Sequence, residues 1–212
     1  MSCRVQSGAL VGVDGVPVEV EVDLVRRLPK VTVVGLPAGT VRESTERVRS
    51  AILAAGFEFP KYRVTINLAP ADLKKEGTGF DLPIAVGILA ASGQVPSDSL
   101  VGRMFAGELS LDGRLRSIRG GLSLAVMAAR IGSGSLVLPK GCAGQGALVP
   151  GLEVYGASTL RELVAWLRQE GEVPLAVATI PQEHDGTIDL ADVRGQPLAR
   201  RALEVSAAGG HN

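Results

Sequence analysis

Phosphate-transfer chemistry needs a glycine-rich loop that runs into Gly-Lys-Ser/Thr. There backbone N–H groups wrap the phosphates, while the lysine and hydroxyl serve the terminal phosphate and Mg²⁺. The 212-residue chain contains neither a Gly-Lys dipeptide nor a G-x-G-x-x-G. That absence argues strongly against nucleotide hydrolysis by this chain. The glycine-rich run Gly141–Gly146 has the wrong spacing and reads as a surface loop. Serine-hydrolase chemistry needs an exposed nucleophile, a base and oxyanion donors. No G-x-S-x-G is present, and His184 and His211 fall in a linker and at the chain end, where they read as solvated bystanders. Metal ligation is equally poorly supplied. Cys3 and Cys142 are isolated and read as reduced structural thiols. Asp72, Glu76 and Asp81 crowd one loop, where they read as turn and cap residues rather than an acid/base pair.

What remains is local positive charge. Arg26, Arg27 and Lys30 form one cluster, Lys74 and Lys75 a second, and Arg114, Arg116 and Arg119 a third. Each could touch phosphates, although each taken alone is better explained as a solvated surface. No aromatic residues interleave with them, so a stacking platform for single strands is not indicated. The 22 basic and 22 acidic residues cancel, and no global field draws the chain to nucleic acid or lipid. The longest apolar run, Leu82 to Ala91, is half of the ~20 residues that a spanning helix requires. Hydrophobic residues make up 46% of the chain and aromatics 3%, so a core of Val, Leu, Ile and Ala is expected. These features predict a cytoplasmic globular protein with no membrane partner and no metal.

The elements that must carry these residues alternate in type. Ser7–Val13 and Val16–Leu24 flank Asp14-Gly15, a hairpin signal. Val31–Val34 is a short β-branched run. Thr40 and Glu43 have capping-box spacing, and Val41, Thr45, Val48, Ile52 and Ala55 form one helical face. Tyr62–Leu68 alternates as a strand. Asp81 is placed to cap a buried helix over Leu82–Ser92. A second hairpin is expected over Phe105–Ile118 around Asp112-Gly113. Leu122, Ala125, Val126 and Ala129 make the next helical stripe; strands at 135–138 and 153–155 and a helix capped by Ser158 follow. The pattern predicts an α/β fold: a mixed sheet with βαβ crossovers. The domain should span 1–171, with a linker over 172–188 and a last helix from Pro197 to about Ala208 that lacks a wide apolar face.

Several runs carry a family resemblance. They are Val33-Val34-Gly35-Leu36-Pro37, Ile66-Asn67-Leu68-Ala69-Pro70-Ala71-Asp72-Leu73-Lys74-Lys75-Glu76-Gly77, Phe80-Asp81-Leu82-Pro83-Ile84-Ala85 and Gly107-Glu108-Leu109-Ser110-Leu111. Over about residues 1–170 the chain resembles the N-terminal domain of the YifB/ComM family of magnesium-chelatase-like AAA+ ATPases. Residues 189–212 resemble the entry to that family's AAA+ module, so the sequence reads as cut just before a Walker A motif.

The resemblance implies a Lon-protease-like fold, shared with the second domain of a small-subunit ribosomal protein. Lon's Ser–Lys dyad follows two signatures. The first maps onto Lys75-Glu76-Gly77-Thr78 and puts Gly79 at the nucleophile position. The second maps onto Gly120-Gly121-Leu122 and puts Ser123, or Leu122 without a gap, at the base position. Both chemical groups are missing, which disfavours a Lon-type peptidase. The resemblance further implies a parent that is a hexameric motor on branched DNA in recombination or transformation. The parent would use ATP and magnesium, whereas this chain alone would need no cofactor. Val193, Gly195 and Gln196 would touch adenine, and Lys74, Lys75, Arg116 and Arg119 are the DNA-contact candidates. The partners implied are the chain's own AAA+ module, identical subunits and DNA. A purely structural oligomerisation domain is the alternative; metal chelation, suggested by the family's name, has no matching site.

Overall fold

The computed structural model describes residues 1–35, 37, 39–73, 75, 77–179 and 190–210. They fall into two compact units, Met1–Ile180 and Pro181–Asn212. In the first unit, strands β1 (Ser2–Val11), β2 (Asp14–Val25), β3 (Lys30–Val34), β4 (Arg63–Ala69), β5 (Arg103–Phe105), β8 (Ser135–Pro139) and β9 (Glu153–Ala157) form one sheet. Two further strands, β6 (Glu108–Leu109) and β7 (Leu115–Arg116), pair separately. The order in the large sheet is β3-β4-β2-β1-β5-β8-β9. Its β1–β2 and β2–β4 pairs are antiparallel and the others parallel, so the expected mixed α/β sheet is present.

Alternation along the strands decides which face is buried. Val18, Val20, Val22 and Leu24 of β2 and Val64, Ile66 and Leu68 of β4 all point into the main core. There they meet α1 (Gly39–Ala54) and α2 (Asp81–Ala91), the latter buried along its whole length. Gly87 lets α2 lie close to the sheet, because a Cβ there would come within 2.7 Å of Val22. The opposite face is covered only in part. Helices α3 (Gly121–Arg130) and α4 (Lys140–Gly146) pack a second core of Met104, Leu124, Met127, Leu136 and Leu138. The β3–β4–β2 part of that face carries half-exposed polar residues such as Thr32, Arg63, Thr65 and Asn67. Helix α5 (Leu160–Leu167) closes the unit, and α6 (Pro197–Gly209) belongs to the second unit and has no buried residue.

Several sequence expectations shift locally. The first hairpin turns at Gly12-Val13, since Val11 pairs with Asp14. Gly12, at φ +62°, takes the positive-φ position of the turn that Asp14-Gly15 was expected to supply. Phe105 joins the main sheet, and only Glu108–Leu109 and Leu115–Arg116 form the second hairpin. Gly141–Gly146, expected as a loop, lies within α4 and buries Cys142 and Ala143. On α3 the buried stripe is Leu124, Ala125, Met127 and Ala128, while Leu122 and Val126 face outward. Thr159, not Ser158, caps α5 in a capping box with Glu162. The expected linker begins too early. Val173 is buried, Gly156 N–H donates to Pro174 O at 3.0 Å and Ala176 N–H to Val154 O at 2.7 Å, so this stretch lines the β9 edge. The capping pair Thr40 and Glu43 falls on side chains outside the described set.

The largest correction concerns Asp81. It is the first residue of α2, follows Phe80 and makes no cap; its side chain is fully buried. Arg47 of α1 grips it with both arms of the guanidinium, Nε to Oδ2 at 2.9 Å and Nη2 to Oδ1 at 3.1 Å. Leu109 N–H adds a third donor at 3.2 Å. A planar fork matched to a carboxylate is the strongest form of such a pair. Burial still pushes the Asp81 carboxyl above its ordinary range, against the pull of Arg47 and Leu109 N–H. Asp81→Ala should remove the carboxylate that ties α1 to the start of α2, leave the Leu109 N–H unsatisfied and open a small void, lowering stability by about 3 kcal/mol. Asp81→Asn, which keeps an acceptor for Leu109, should cost less. Urea unfolding of the 212-residue chain checks this, and a loss under about 1 kcal/mol for Asp81→Ala would contradict it.

Candidate functional site

The segment before α2 is zipped to the strand that follows β5. Leu82 N–H donates to Gly107 O at 3.0 Å, and Gly107 N–H donates to Gly79 O at 2.9 Å. Thr78 Oγ1 donates a short hydrogen bond to Glu108 Oε2. These contacts hold the 77–80 loop over a cleft of about 530 Å³, which Ser117, Ile118 and Arg119 line from the far side and Leu10 and Leu124 line as apolar wall. Gly79 faces this cleft. A methyl group on it would sit 3.7 Å from Ile118 Cδ1, an ordinary contact, so packing does not demand glycine there. Gly120 is different. Its φ is +76°, so the backbone favours glycine there, and a methyl group on it would also displace the end of the exposed Leu10 side chain.

The second position expected from the protease-like signatures lies elsewhere. Ser123 and Leu122 line a separate small hollow beside Asp14 and Gly15, not the cleft that holds Gly79. The cleft's polar side chains include Thr78 bound to Glu108, with Ser117 and Arg119 also in the lining; among the described residues no lysine or histidine lines it. His184 and His211 lie outside the described residues. Among the described residues, no group of three or more His, Cys, Asp or Glu is placed to hold a metal ion, and no helix is long and apolar enough to cross a membrane. Cys3 and Cys142 are both buried free thiols, and burial pushes each above its ordinary value.

The family model described as subunit ChlI of Mg-chelatase matches residues 20–142, which include the Arg47–Asp81 pair and the cleft's 77–80 and 117–119 walls. The chain belongs to the Mg-chelatase ChlI family. Within it, the chain is 43% identical over 213 residues to the competence protein ComM of Haemophilus influenzae, covering 98% of this chain and 42% of that protein. It is 43% identical over 208 residues to YifB of Salmonella typhimurium, covering 98% and 41%. Against Rv2897c of Mycobacterium tuberculosis it is 40% identical over 209 residues, covering 99% and 42%. These matches make it a YifB/ComM-type member of the ChlI family. The chain spans about two fifths of the length of these relatives.

The sequence-selected cations separate in this ChlI-family fold. Arg119 is exposed on the rim of the cleft, and Arg116 is exposed on β7 opposite Glu108. Lys74 and Glu76 lie outside the described residues. Lys75 cannot meet a phosphate: its side chain is wholly buried, and its ammonium donates a short hydrogen bond to Pro70 O. No pattern in the sequence separated it from Lys74, because burial here follows from the backbone bridge between Lys75 and Pro37. Val193, Gly195 and Gln196 precede α6 in the second unit and are all exposed, with Gly195 and Gln196 at positive φ.

Desolvation lowers the Lys75 ammonium below its ordinary value of 10.5, and Asp72 opposes this only in part. Between the lowered value and 10.5 the unfolded chain holds more protons than the folded one, so folding stability rises with pH. The burial cost is therefore present at neutral pH and relieved as pH approaches 10.5. Lys75→Met should remove this dependence. Urea midpoints of both proteins, measured from about pH 7 to about pH 10, should show the wild type gaining on the variant as pH rises; a constant difference would contradict the assignment.

Proposed function

We propose that this chain is the non-catalytic N-terminal domain of a YifB/ComM-like AAA+ ATPase, a ring-forming motor on branched DNA. In this reading the domain helps assemble the ring and contacts DNA or a partner, while an AAA+ module supplies ATP and magnesium chemistry. The supporting observation is the cleft. Gly79 offers no side-chain nucleophile, and among the described residues no lysine or histidine lines the cleft. Near-complete coverage by ComM, a relative whose name ties it to competence, supports a role in handling DNA. Of the four DNA-contact candidates, Arg116 and Arg119 are exposed among the described residues.

A Lon-type peptidase is the reading the same cleft argues against. Treating the 212-residue chain with a fluorophosphonate serine probe should label nothing above a heat-denatured control.

The DNA reading is checked by titrating the chain against a four-way junction and a linear duplex at two salt concentrations. Binding should weaken steeply with salt, because it rests on phosphates. Arg116→Ala/Arg119→Ala should lower affinity for both DNAs alike, since phosphate contacts carry no sequence information. Failure of the wild type to bind either DNA at low salt, with a defined oligomer in sedimentation, would leave the assembly role alone.

A further inference from the structure

We propose that the end of the sheet where β2, β3 and β4 meet is a phosphate-binding site for a nucleic-acid backbone. The nucleic acid as source of that phosphate rests on the reading above; the site itself does not. A depression of about 380 Å³ on the open sheet face is lined by Val25, Arg27, Thr32, Arg63 and Thr65. Two guanidiniums and two hydroxyls thus converge with one apolar side chain and no carboxylate. The register builds it: Arg63 lies between Val25 of β2 and Lys30 of β3, and Thr65 lies beside Thr32. Paired strands lie ~4.8 Å apart, so these groups fall within reach of one phosphate. Guanidinium forks and threonine hydroxyls are donors that suit a phosphate's oxygens.

The surroundings extend the charge beyond one phosphate. Arg26, Arg27, Lys30 and Lys61 are exposed around the depression, and Arg63 is half-buried in it. Among the described residues none of these five cations lies within ion-pairing distance of a carboxylate. Elsewhere in the same unit Arg4, Arg47 and Arg114 each face one. The nearest acid in the register is Asp23, opposite Thr65, and it is 3.6 Å from the N-terminal ammonium. Glu58 lines the next hollow along, together with Arg26 and Lys61. A single phosphate would use two of the five cations, whereas a polymer of phosphates would use all of them. The depression joins the open sheet face, with Thr32, Arg63 and Thr65, to the β2–β3 loop that carries Arg27, and this hollow across strand ends suits a phosphate chain lying in it better than a flat lipid surface. It lies nine residues along β2 from Val16, which flanks the cleft strand at Ala9, or about 30 Å at ~3.3 Å per residue. The site is therefore separate from Arg116 and Arg119.

The test uses the 212-residue chain, a fluorescein-labelled duplex of about 20 bp, inorganic phosphate, and vesicles of phosphatidylcholine with phosphatidylserine. Arg27→Gln/Arg63→Gln should weaken duplex binding at least tenfold at about 50 mM salt and reduce the slope of log K against log salt by about 2, at ~0.9 per lost phosphate contact. Thr32→Val/Thr65→Val should weaken binding several-fold with the slope unchanged, which a general charge effect would not do. Where Arg63→Gln disturbs folding, Arg27→Glu alone, at an exposed position, should weaken binding similarly. Inorganic phosphate should shift the amide resonances of Thr32 and Thr65. Duplex binding unchanged in all variants overturns this site and leaves the DNA reading standing. Phosphate-shifted Thr32 and Thr65 amides in a chain that binds no duplex keep the site and remove the DNA reading. No response to either ligand, or binding to vesicles alone, overturns the proposal.

Discussion

The Arg47–Asp81 pair is the constraint on which the rest of the first unit depends. A carboxylate with no solvent exposure must find its donors inside the protein, and three reach it: two from Arg47 and one from Leu109 N–H. Those donors come from α1 and from the strand after β5, so one side chain fixes three segments of chain against one another. Such a pair adds little net stability compared with well-packed apolar groups, yet breaking it is costly. Its consequence is geometric. With Asp81 anchored, the 77–80 loop lies against residues 107–108, and the cleft beneath it opens toward Ser117–Arg119. The cleft's shape therefore follows from the stability of the fold and needs no catalytic use to explain its persistence.

Chemistry and scaffold come apart at that point. Gly79 has room for a side chain, so packing does not require glycine there. Ser123 lines another hollow, so the two positions that the family resemblance was expected to pair do not share one cleft. A chain of zero net charge nonetheless carries an uneven surface, because its acids are spent on particular cations. Among the described residues, five cations without a carboxylate partner, Arg26, Arg27, Lys30, Lys61 and Arg63, stand together at the β2–β3–β4 end. Under the proposed function, this division suits a domain that holds and orients rather than transforms.

Strand positions were legible because period-two alternation is a local property, and β2 and β4 follow it residue by residue. The family runs quoted from the sequence were equally legible, and the family model covers most of them. What escaped was set by tertiary contact. Asp81 has the type and position of a helix cap, and only the arrival of Arg47 from 34 residues away turns it inward. Lys75 reads like its neighbour Lys74 until its burial is known. The α3 stripe was misplaced by one or two positions because both faces of that helix carry Leu, Val and Ala, and the sheet chooses between them. Arg27 and Arg63 are 36 residues apart in the chain and share a depression only because β2 and β4 are neighbours in the sheet.

The central claim is that this domain acts by binding phosphates with its surface rather than by catalysis in its cleft. Amide hydrogen exchange of the 212-residue chain, with and without a four-way junction DNA, tests it most directly. The account predicts slowed exchange across residues 26–32, 61–65 and 116–119 on adding the junction, with 78–82 and 107–109 unchanged because their hydrogen bonds are already internal. Exchange that is identical with and without DNA at 26–32, 61–65 and 116–119 would contradict it.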